Sequence, residues 1–321
     1  MSPARRSTTV ALLTCALLTL LAACGADDPG TATGATLGHV HGLGTDPADD
    51  TLYAATHFGV FDLGEAGAGP VERVADRWQD TMAFAVVGPS HFLASGHPDQ
   101  REDLPVHLGL IESTDAARTW EPVSLLGEAD FHALEAAGDR VYGYDAVSSR
   151  LMVTEDREEW RTLARVPAAD LAADPRDPAR VLASTAEGVI TYRTEGGPGR
   201  PLDGTPPLML LDWPTEDLLV GATGEGVVYR SRDSGDSWQR SDGPPGDLHA
   251  LEVTPPRLVR RHQRRPVPLL RRRTHLAAHL SRVTAPENQF ARALLDGRTR
   301  RPTHVSGSGQ VWNRAPARRW R

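Results

Sequence analysis

The sequence predicts an all-β fold, a β-propeller with six blades, and three observations lead to it. A unit of about 40 residues recurs between residues 39 and 256. Each unit consists of short apolar runs separated by Gly, Pro and Asp, which is typical of β-strands joined by tight turns. A Ser-x-Asp-x-Gly-x-x-Trp pattern follows the third run. Sheets repeated around an axis bury both faces against their neighbours, so the array predicts a propeller, with seven blades as the alternative.

The apolar runs occur in the same order in successive units. Six opening runs stand at residues 39–43, 80–84, 130–134, 170–174, 207–211 and 247–251. Second runs follow at residues 52–56, 92–95, 141–144, 181–185 and 218–222, and third runs at 59–61, 188–192 and 226–229. Each unit is therefore interpreted as one blade of antiparallel strands, whose opening strand lines the central channel.

The Ser/Asp/Trp pattern stands at the end of the third run in three units. Its copies are Ser113, Asp115 and Trp120; Asp156 and Trp160; and Ser231, Asp233, Gly235 and Trp238. The pattern resembles the Asp-box (BNR) repeat of propellers such as sialidases and sortilin-like domains. Ser and Asp side chains accept backbone N–H bonds in a hairpin turn while Trp packs beneath it. We therefore interpret these residues as structural.

The first residues have the pattern of an export signal. A basic start precedes an apolar run at residues 10–21 that is too short to span a bilayer comfortably. The run ends at Leu21-Ala-Ala-Cys24, which resembles the bacterial lipobox, where the cysteine becomes the lipidated first residue. We expect a signal peptide at residues 1–23, a lipid on Cys24 and a Gly/Ala/Thr-rich tether at residues 24–38. The alternative is an ordinary signal peptide cut near Ala23.

These features predict a protein anchored at the extracytoplasmic face of the cell membrane. The other cysteine, Cys15, leaves with the signal peptide. The mature chain then has no pair of thiols, which excludes a disulfide and a cysteine-based metal site within it.

Charge separates the last residues from the propeller at residues 39–256. Residues 1–256 carry 18 Arg and 40 acidic residues, whereas residues 257–321 carry 17 Arg and 2 acidic residues. A basic tail ordinarily suggests a nucleic-acid or membrane patch. A frameshift is the simpler explanation, because codons read one base out of frame from Val259 to Ala277 permit Tyr-Ala-Ala-Thr-Ser-Asp-Gly-Leu-Tyr-Arg-Ser-Ser-Asp-Gly-Gly-Arg-Thr-Trp. That string repeats the second run, the third run and the box, so we expect a disordered tail and no nucleic-acid partner.

One position of the repeat carries His or Met in five of its six units. These residues are His41, Met82, His132, Met209 and His249, with Ala172 as the exception. Opening strands line the channel, so we expect the side chains to converge and hold copper or zinc. His39, His57 and His97 fall on the same face and extend it as a ligand-binding surface. The alternative is a set of separate core or rim groups, hydrogen-bonded His and packed Met.

Residues 39–254 also resemble a group of actinobacterial lipoproteins labelled glycosyl hydrolase or exo-sialidase-like. That resemblance implies a sialidase-like glycosidase with an arginine cluster for the substrate carboxylate. The candidates are Arg73, Arg77, Arg101 and Arg140, but the Phe-Arg-Ile-Pro motif usual in sialidases is absent.

A shared repeat does not carry a shared reaction, so we name no catalytic residue. We expect a monomeric, non-catalytic surface propeller whose ligand is a glycan, a protein or a metal ion. A glycoside hydrolase is the alternative.

Overall fold

The structure, a computed structural model, describes residues 37–241 and 248–254 and the backbone of a two-residue strand at Ala291–Arg292. The described chain is all-β and forms a propeller, which confirms the predicted fold class. Within these residues no helix is long and apolar enough to cross a membrane.

Five blades are four-stranded antiparallel sheets in which each strand pairs with the next along the chain. Blade 1 holds β1 (Val40–Thr45), β2 (Thr51–Thr56), β3 (Gly59–Glu65) and β4 (Glu72–Arg73). Blade 2 holds β5 (Asp80–Gly88), β6 (His91–His97), β7 (Leu110–Ser113) and β8 (Glu121–Ser124). Blade 3 holds β9 (Phe131–Ala137), β10 (Arg140–Asp145), β11 (Arg150–Thr154) and β12 (Arg161–Arg165).

Blades 4 and 5 repeat this order. Blade 4 holds β13 (Asp170–Ala173), β14 (Arg180–Thr185), β15 (Gly188–Arg193) and β16 (Arg200–Pro201). Blade 5 holds β17 (Leu210–Thr215), β18 (Leu218–Ala222), β19 (Val228–Ser231) and β20 (Gln239–Ser241). A sixth sheet consists of β21 (Leu251–Glu252) paired in parallel with β22 (Ala291–Arg292).

The innermost strands form a closed ring. Each of β1, β5, β9, β13 and β17 contacts the inner strand of the following blade, and β21 contacts both β17 and β1. The ring therefore has six inner strands, one for each opening run of the sequence. In the described residues five positions carry full blades, and the sixth carries β21 and its short partner.

The core lies between neighbouring blades. Between blades 2 and 3, Leu93 and Leu110 pack against Phe131, and none of these three side chains is exposed to solvent. Small residues on β1 allow its close approach to β5: a Cβ on Gly44 would lie 2.6 Å from a methyl carbon of Val86. Burial of both faces of each sheet explains why the second strands contain unbroken apolar runs.

The three turns that carry the Ser/Asp/Trp pattern use the same kind of hydrogen bond, from backbone N–H groups to the Ser or Thr hydroxyl and to the Asp carboxylate, with a spacing one residue shorter in blade 3. Ser231 Oγ accepts from Gly235 N at 2.8 Å, and Asp233 Oδ1 accepts from Ser237 N at 2.9 Å. Blade 2 repeats both bonds, through Ser113 Oγ and Ala117 N at 2.9 Å and through Asp115 Oδ1 and Thr119 N at 2.8 Å. In blade 3, Thr154 Oγ1 accepts from Arg157 N at 2.8 Å, and Asp156 Oδ1 accepts from Glu159 N at 2.8 Å.

The tryptophans of these turns pack towards the sheets. Trp120 is buried, and Trp160 and Trp238 pack against the inter-blade cores at their edges. The pattern thus closes the hairpin between the third and fourth strands.

Several sequence predictions lie outside the described residues. These are the signal peptide, lipidated Cys24, residues 24–36 of the tether and, except for the backbone of β22, the tail at residues 257–321. The described chain begins at Leu37, which is buried, close to the predicted start of the propeller at His39.

Candidate metal centre

Seven histidines gather at one mouth of the central channel and form a continuous line of contacts with two aspartates. In the order of these contacts the residues are His249, His39, His41, His57, Asp80, His97 and Asp130, and Asp130 contacts both His107 and His132. They come from the start of blade 1, from blades 2 and 3, and from the residues that precede β21. The remaining described histidine, His91, lies apart and contacts Glu112 instead.

β-Bulges set the direction of three side chains at this mouth, each of which belongs to an inner strand. Val40 pairs with Thr56 and Gly42 with Ala55, so His41 is an extra residue between them. Met82 in β5 and His132 in β9 are extra residues in the same way. A bulge leaves a residue outside the ladder and changes the direction of its side chain. The repeat position that carries His or Met is therefore the bulge position in the first three blades.

The first cluster is built on blade 1 and completed by Asp80. His57 occupies the β2–β3 turn, which Thr56 closes by donating from Oγ1 to Gly59 O at 2.8 Å. His41 Nε2 lies 3.2 Å from His57 Nδ1 and 3.7 Å from Asp80 Oδ1. His57 Nδ1 lies 2.8 Å from the same carboxylate oxygen. The ring of His39 stacks on His41 with centroids 4.7 Å apart, and ligand atoms of His39, His41 and His57 all lie within 4.8 Å of one another.

Burial and crowding favour the neutral imidazoles of His41 and His39. Burial, and then the neighbouring imidazoles of His57 and His39, lower the pKa of His41 to about 3. Burial and the imidazoles of His249 and His57 also lower the pKa of His39. A neutral imidazole keeps a lone pair on one ring nitrogen, which is the form that binds a metal ion.

The second cluster lies between blades 2 and 3, around Asp130. His97 Nε2, His107 Nδ1 and His132 Nε2 lie 3.6, 3.8 and 3.1 Å from Asp130 Oδ2. The Asp130 side chain is only 8% exposed. Burial raises the pKa of Asp130, but the hydrogen bond from His132 and the charges of His132, His97 and His107 outweigh it and leave the pKa below its usual range.

The structure does not bring the five predicted metal ligands together at one site. His41, Met82, His132, Met209 and His249 all line one central cavity of about 650 Å³. His41 lies in the first cluster and His132 in the second, while His249 Nδ1 lies 3.4 Å from His39 Nδ1. Among the described residues, His41, His132 and His249 are not a set whose ligand atoms lie within 4.8 Å of one another. His39, His57 and His97, predicted as a ligand-binding surface, are members of the two clusters.

Three members of the two clusters, Asp80, Asp130 and His107, were not identified from the sequence. Asp80 and Asp130 open their units two residues before Met82 and His132, and this Asp-x-Met or Asp-x-His spacing was the signal that could have identified them. His107 lies between β6 and β7, in a segment that does not belong to the repeat, so no pattern marked it.

Four carboxylates line the channel below the mouth and join successive inner strands. Glu135 accepts from Ala173 N at 3.3 Å, Asp170 from Leu211 N at 2.8 Å, Asp212 from Val253 N, and Glu252 from Thr45 N at 3.2 Å. Each side chain borders the channel but is otherwise surrounded by protein. Burial raises the pKa of Glu135 to about 8 and that of Asp170 to about 7. Burial and the charges of Glu252 and Glu135 raise the pKa of Asp212.

We expect the free energy of unfolding to fall by about 2–3 kcal/mol between pH 6.5 and pH 9 because of these carboxylates. A carboxyl whose pKa is raised by folding stabilises the fold while it is protonated, and this contribution is lost as pH rises through the folded pKa. The pH range begins at 6.5 because the lowered pKa values of His39 and His41 make the free energy of unfolding depend on pH below 6.5. Urea unfolding with a chelator present measures the slope.

Glu135→Gln should reduce this pH dependence, since the amide does not ionise, and leave the part that Asp170 and Asp212 contribute. Exposed Glu121 in β8 provides the matched control, and Glu121→Gln should leave the slope unchanged. An equal slope in the Glu135 variant and the unchanged chain would contradict the assignment.

The four arginines considered for a sialidase site do not form a free cationic cluster. Arg77 pairs with Glu102 at 3.0 Å, Arg101 with Asp99 at 2.5 Å, and Arg140 with Glu155 at 2.8 Å. Arg73 donates to Phe58 O and lies 3.4 Å from the ring centroid of Trp78. Three of the four guanidinium groups are thus paired with carboxylates of this chain.

No protein-family model matches the chain, and no curated protein matches it. Solved structures are similar to it in fold. A gluconolactonase from Xanthomonas campestris is 15% identical, with a TM-score of 0.54 over 68% of this chain and 80% of that chain. YCF48 bound to a D1 peptide is 13% identical, with a TM-score of 0.43 over 65% and 83% of the two chains. An ancestral GH74 enzyme is 15% identical, with a TM-score of 0.43 over 64% of this chain and 32% of the enzyme. At sequence identities this low, the similarity shows a shared fold and nothing about function.

Proposed function

We propose that this chain is a monomeric cell-surface lipoprotein, anchored through Cys24, whose propeller binds a transition-metal ion without catalysing a reaction. The binding site is the first cluster at the channel mouth. Its ligands are His41, His57 and Asp80, with His39 beside them.

One observation carries the proposal: His41 Nε2, His57 Nδ1 and Asp80 Oδ1 lie 2.8 to 3.7 Å from one another. Ligands at about 2.0–2.1 Å from one tetrahedral ion are separated by about 3.3 Å. The three atoms are therefore spaced as three ligands of one ion would be.

The chemistry of the donor set favours zinc or copper. Two or three neutral imidazoles and one carboxylate suit borderline metal ions, whereas calcium and magnesium prefer oxygen ligands alone. Hydrogen bonds alone do not account for the close approach of His41, His57 and Asp80. If His57 Nδ1–H donates to Asp80, the same nitrogen has no lone pair for His41. A cation between the three atoms is attracted by all of them.

Calorimetric titration of the full chain with Zn²⁺, and separately with Cu²⁺, tests this site. We expect tight binding that His41→Ala weakens by more than about 100-fold, because that variant loses a direct ligand. His91→Ala is the matched control, since His91 lies outside the mouth and contacts Glu112. Binding that both variants weaken equally, or the absence of heat with the unchanged chain, would refute the site.

The hydrolase alternative has its own measurement. Hydrolysis of chromogenic glycosides, including a sialoside, by the purified chain should be no faster than in buffer. Release that saturates with substrate and is lost in Arg101→Ala would favour the glycosidase over the binding protein.

A further inference from the structure

We propose that the second cluster is a separate metal site, in which His97, His107, His132 and Asp130 bind a second transition-metal ion. Its ligands come from blades 2 and 3 and from the segment between β6 and β7. The geometry of this site stands independently of the proposed function, and only its link through Asp80 depends on the first site.

Three of the four groups are spaced as ligands of one ion would be: the ligand atoms of His97, His107 and Asp130 all lie within 4.8 Å of one another, and His132 lies beside Asp130. Three imidazole nitrogens lie 3.1 to 3.8 Å from a single carboxylate oxygen, Asp130 Oδ2. Four ligands of a tetrahedral zinc ion have mutual separations of about 3.3 Å. His132 would become the fourth ligand once its imidazole turned from Asp130 towards the ion held by His97, His107 and Asp130.

Two buried atoms of the cluster make no hydrogen bond to any residue that the structure describes. They are Asp130 Oδ1 and His107 Nδ1. A buried polar atom without a partner is costly, by about 1–3 kcal/mol, and such atoms call for a specific explanation. A metal ion bonded to His107 Nδ1 would satisfy that nitrogen, and the same ion would satisfy Asp130 Oδ1 if the carboxylate bound it through both oxygens.

Asp80 orients His97 towards this site. The Asp80 Oδ2 atom lies 3.4 Å from His97 Nδ1, on the side of the ring opposite Asp130. A carboxylate at this place accepts a hydrogen bond from Nδ1–H, which leaves the lone pair on Nε2, the atom that faces Asp130. A carboxylate that holds the other nitrogen of a metal-binding histidine strengthens the metal site and fixes the tautomer.

Asp80 therefore touches both sites. Its Oδ1 faces His41 and His57 of the first site, and its Oδ2 holds His97 of the second. The two ions would be separated by the carboxylate and by the imidazole of His97. The chain is thus expected to bind two ions at linked positions around the channel mouth.

Equilibrium dialysis of the full chain against Zn²⁺, followed by elemental analysis, measures the number of ions per chain. We expect two ions, with one lost in His107→Gln and the other lost in His57→Ala. His107→Gln is preferred to a variant of buried Asp130 because its residue lies outside the strands. Asp130→Asn is the second variant, and thermal unfolding in chelator shows whether each is folded. Asp80→Asn should weaken the second site by about 10- to 100-fold.

The outcomes separate this proposal from the first. One ion that His57→Ala removes and His107→Gln retains overturns the second site and leaves the proposed function. One ion that His107→Gln removes and His57→Ala retains overturns the proposed function and supports the second site. No bound ion overturns both. Two ions that are both unaffected by folded His107→Gln and folded Asp130→Asn overturn the ligand set proposed for the second site.

Discussion

Replacing Trp120 with alanine is expected to lower the free energy of unfolding by about 3–5 kcal/mol. Trp120 follows the turn held by Ser113 and Asp115, and it is 8% exposed. Its ring packs in the cluster that contains Phe92 and Ile111 and joins blades 1 and 2. Truncation leaves a cavity that backbone held in two sheets cannot fill. Urea unfolding followed by circular dichroism measures the change.

Trp78 is the matched control for this substitution. Its side chain is 48% exposed and contacts Arg73 through a cation–π interaction at 3.4 Å. Such exposed interactions contribute about 0.5–1 kcal/mol, so Trp78→Ala should cost about that amount. Equal losses in the two variants would show that the Trp of the box has no special structural role.

The propeller could be predicted because each sequence repeat corresponds to one blade. Short apolar runs in a constant order identify strands, and the register of the runs identifies which strand is innermost. The opening run at residues 80–84 became β5, and the second run at residues 218–222 became β18 (Leu218–Ala222). Burial of both sheet faces leaves a strong apolar signal in each run.

The repeat also predicted which face of the propeller carries the histidines, but not which of them meet. Equivalent positions in successive blades are related by a rotation around the channel, so His41 and His132 lie in different clusters. Contacts form instead within a blade, as between His41 and His57, or across one boundary, as between His57 and Asp80. The bulge at His41 has no local sequence signal, because register depends on pairing with β2.

Completing the sixth blade is expected to raise the melting temperature by about 10 °C, from several kcal/mol of added stability. β21 lies between β17 and β1; Glu252 of β21 accepts from Thr45 N, and Val253, the residue after the strand, donates from its N–H to Asp212. The ring therefore has a defined place for a sixth sheet. The out-of-frame string contains a second strand, a third strand and a full Ser-x-Asp-x-Gly-x-x-Trp turn in the order used by blades 1 to 5.

The test replaces residues 259–277 with that 18-residue string and follows thermal unfolding by calorimetry. A chain that carries the same 18 residues in scrambled order is the control, because it matches length and composition but cannot form the two strands in register. We expect the rise only with the ordered string. The added strands would pair with β21 in place of the two-residue β22 and bury apolar surface against blades 1 and 5, whereas the scrambled string cannot form them in register. Equal melting temperatures for the two chains would show that the string is not a displaced blade, and the frameshift interpretation of the basic tail would then be wrong.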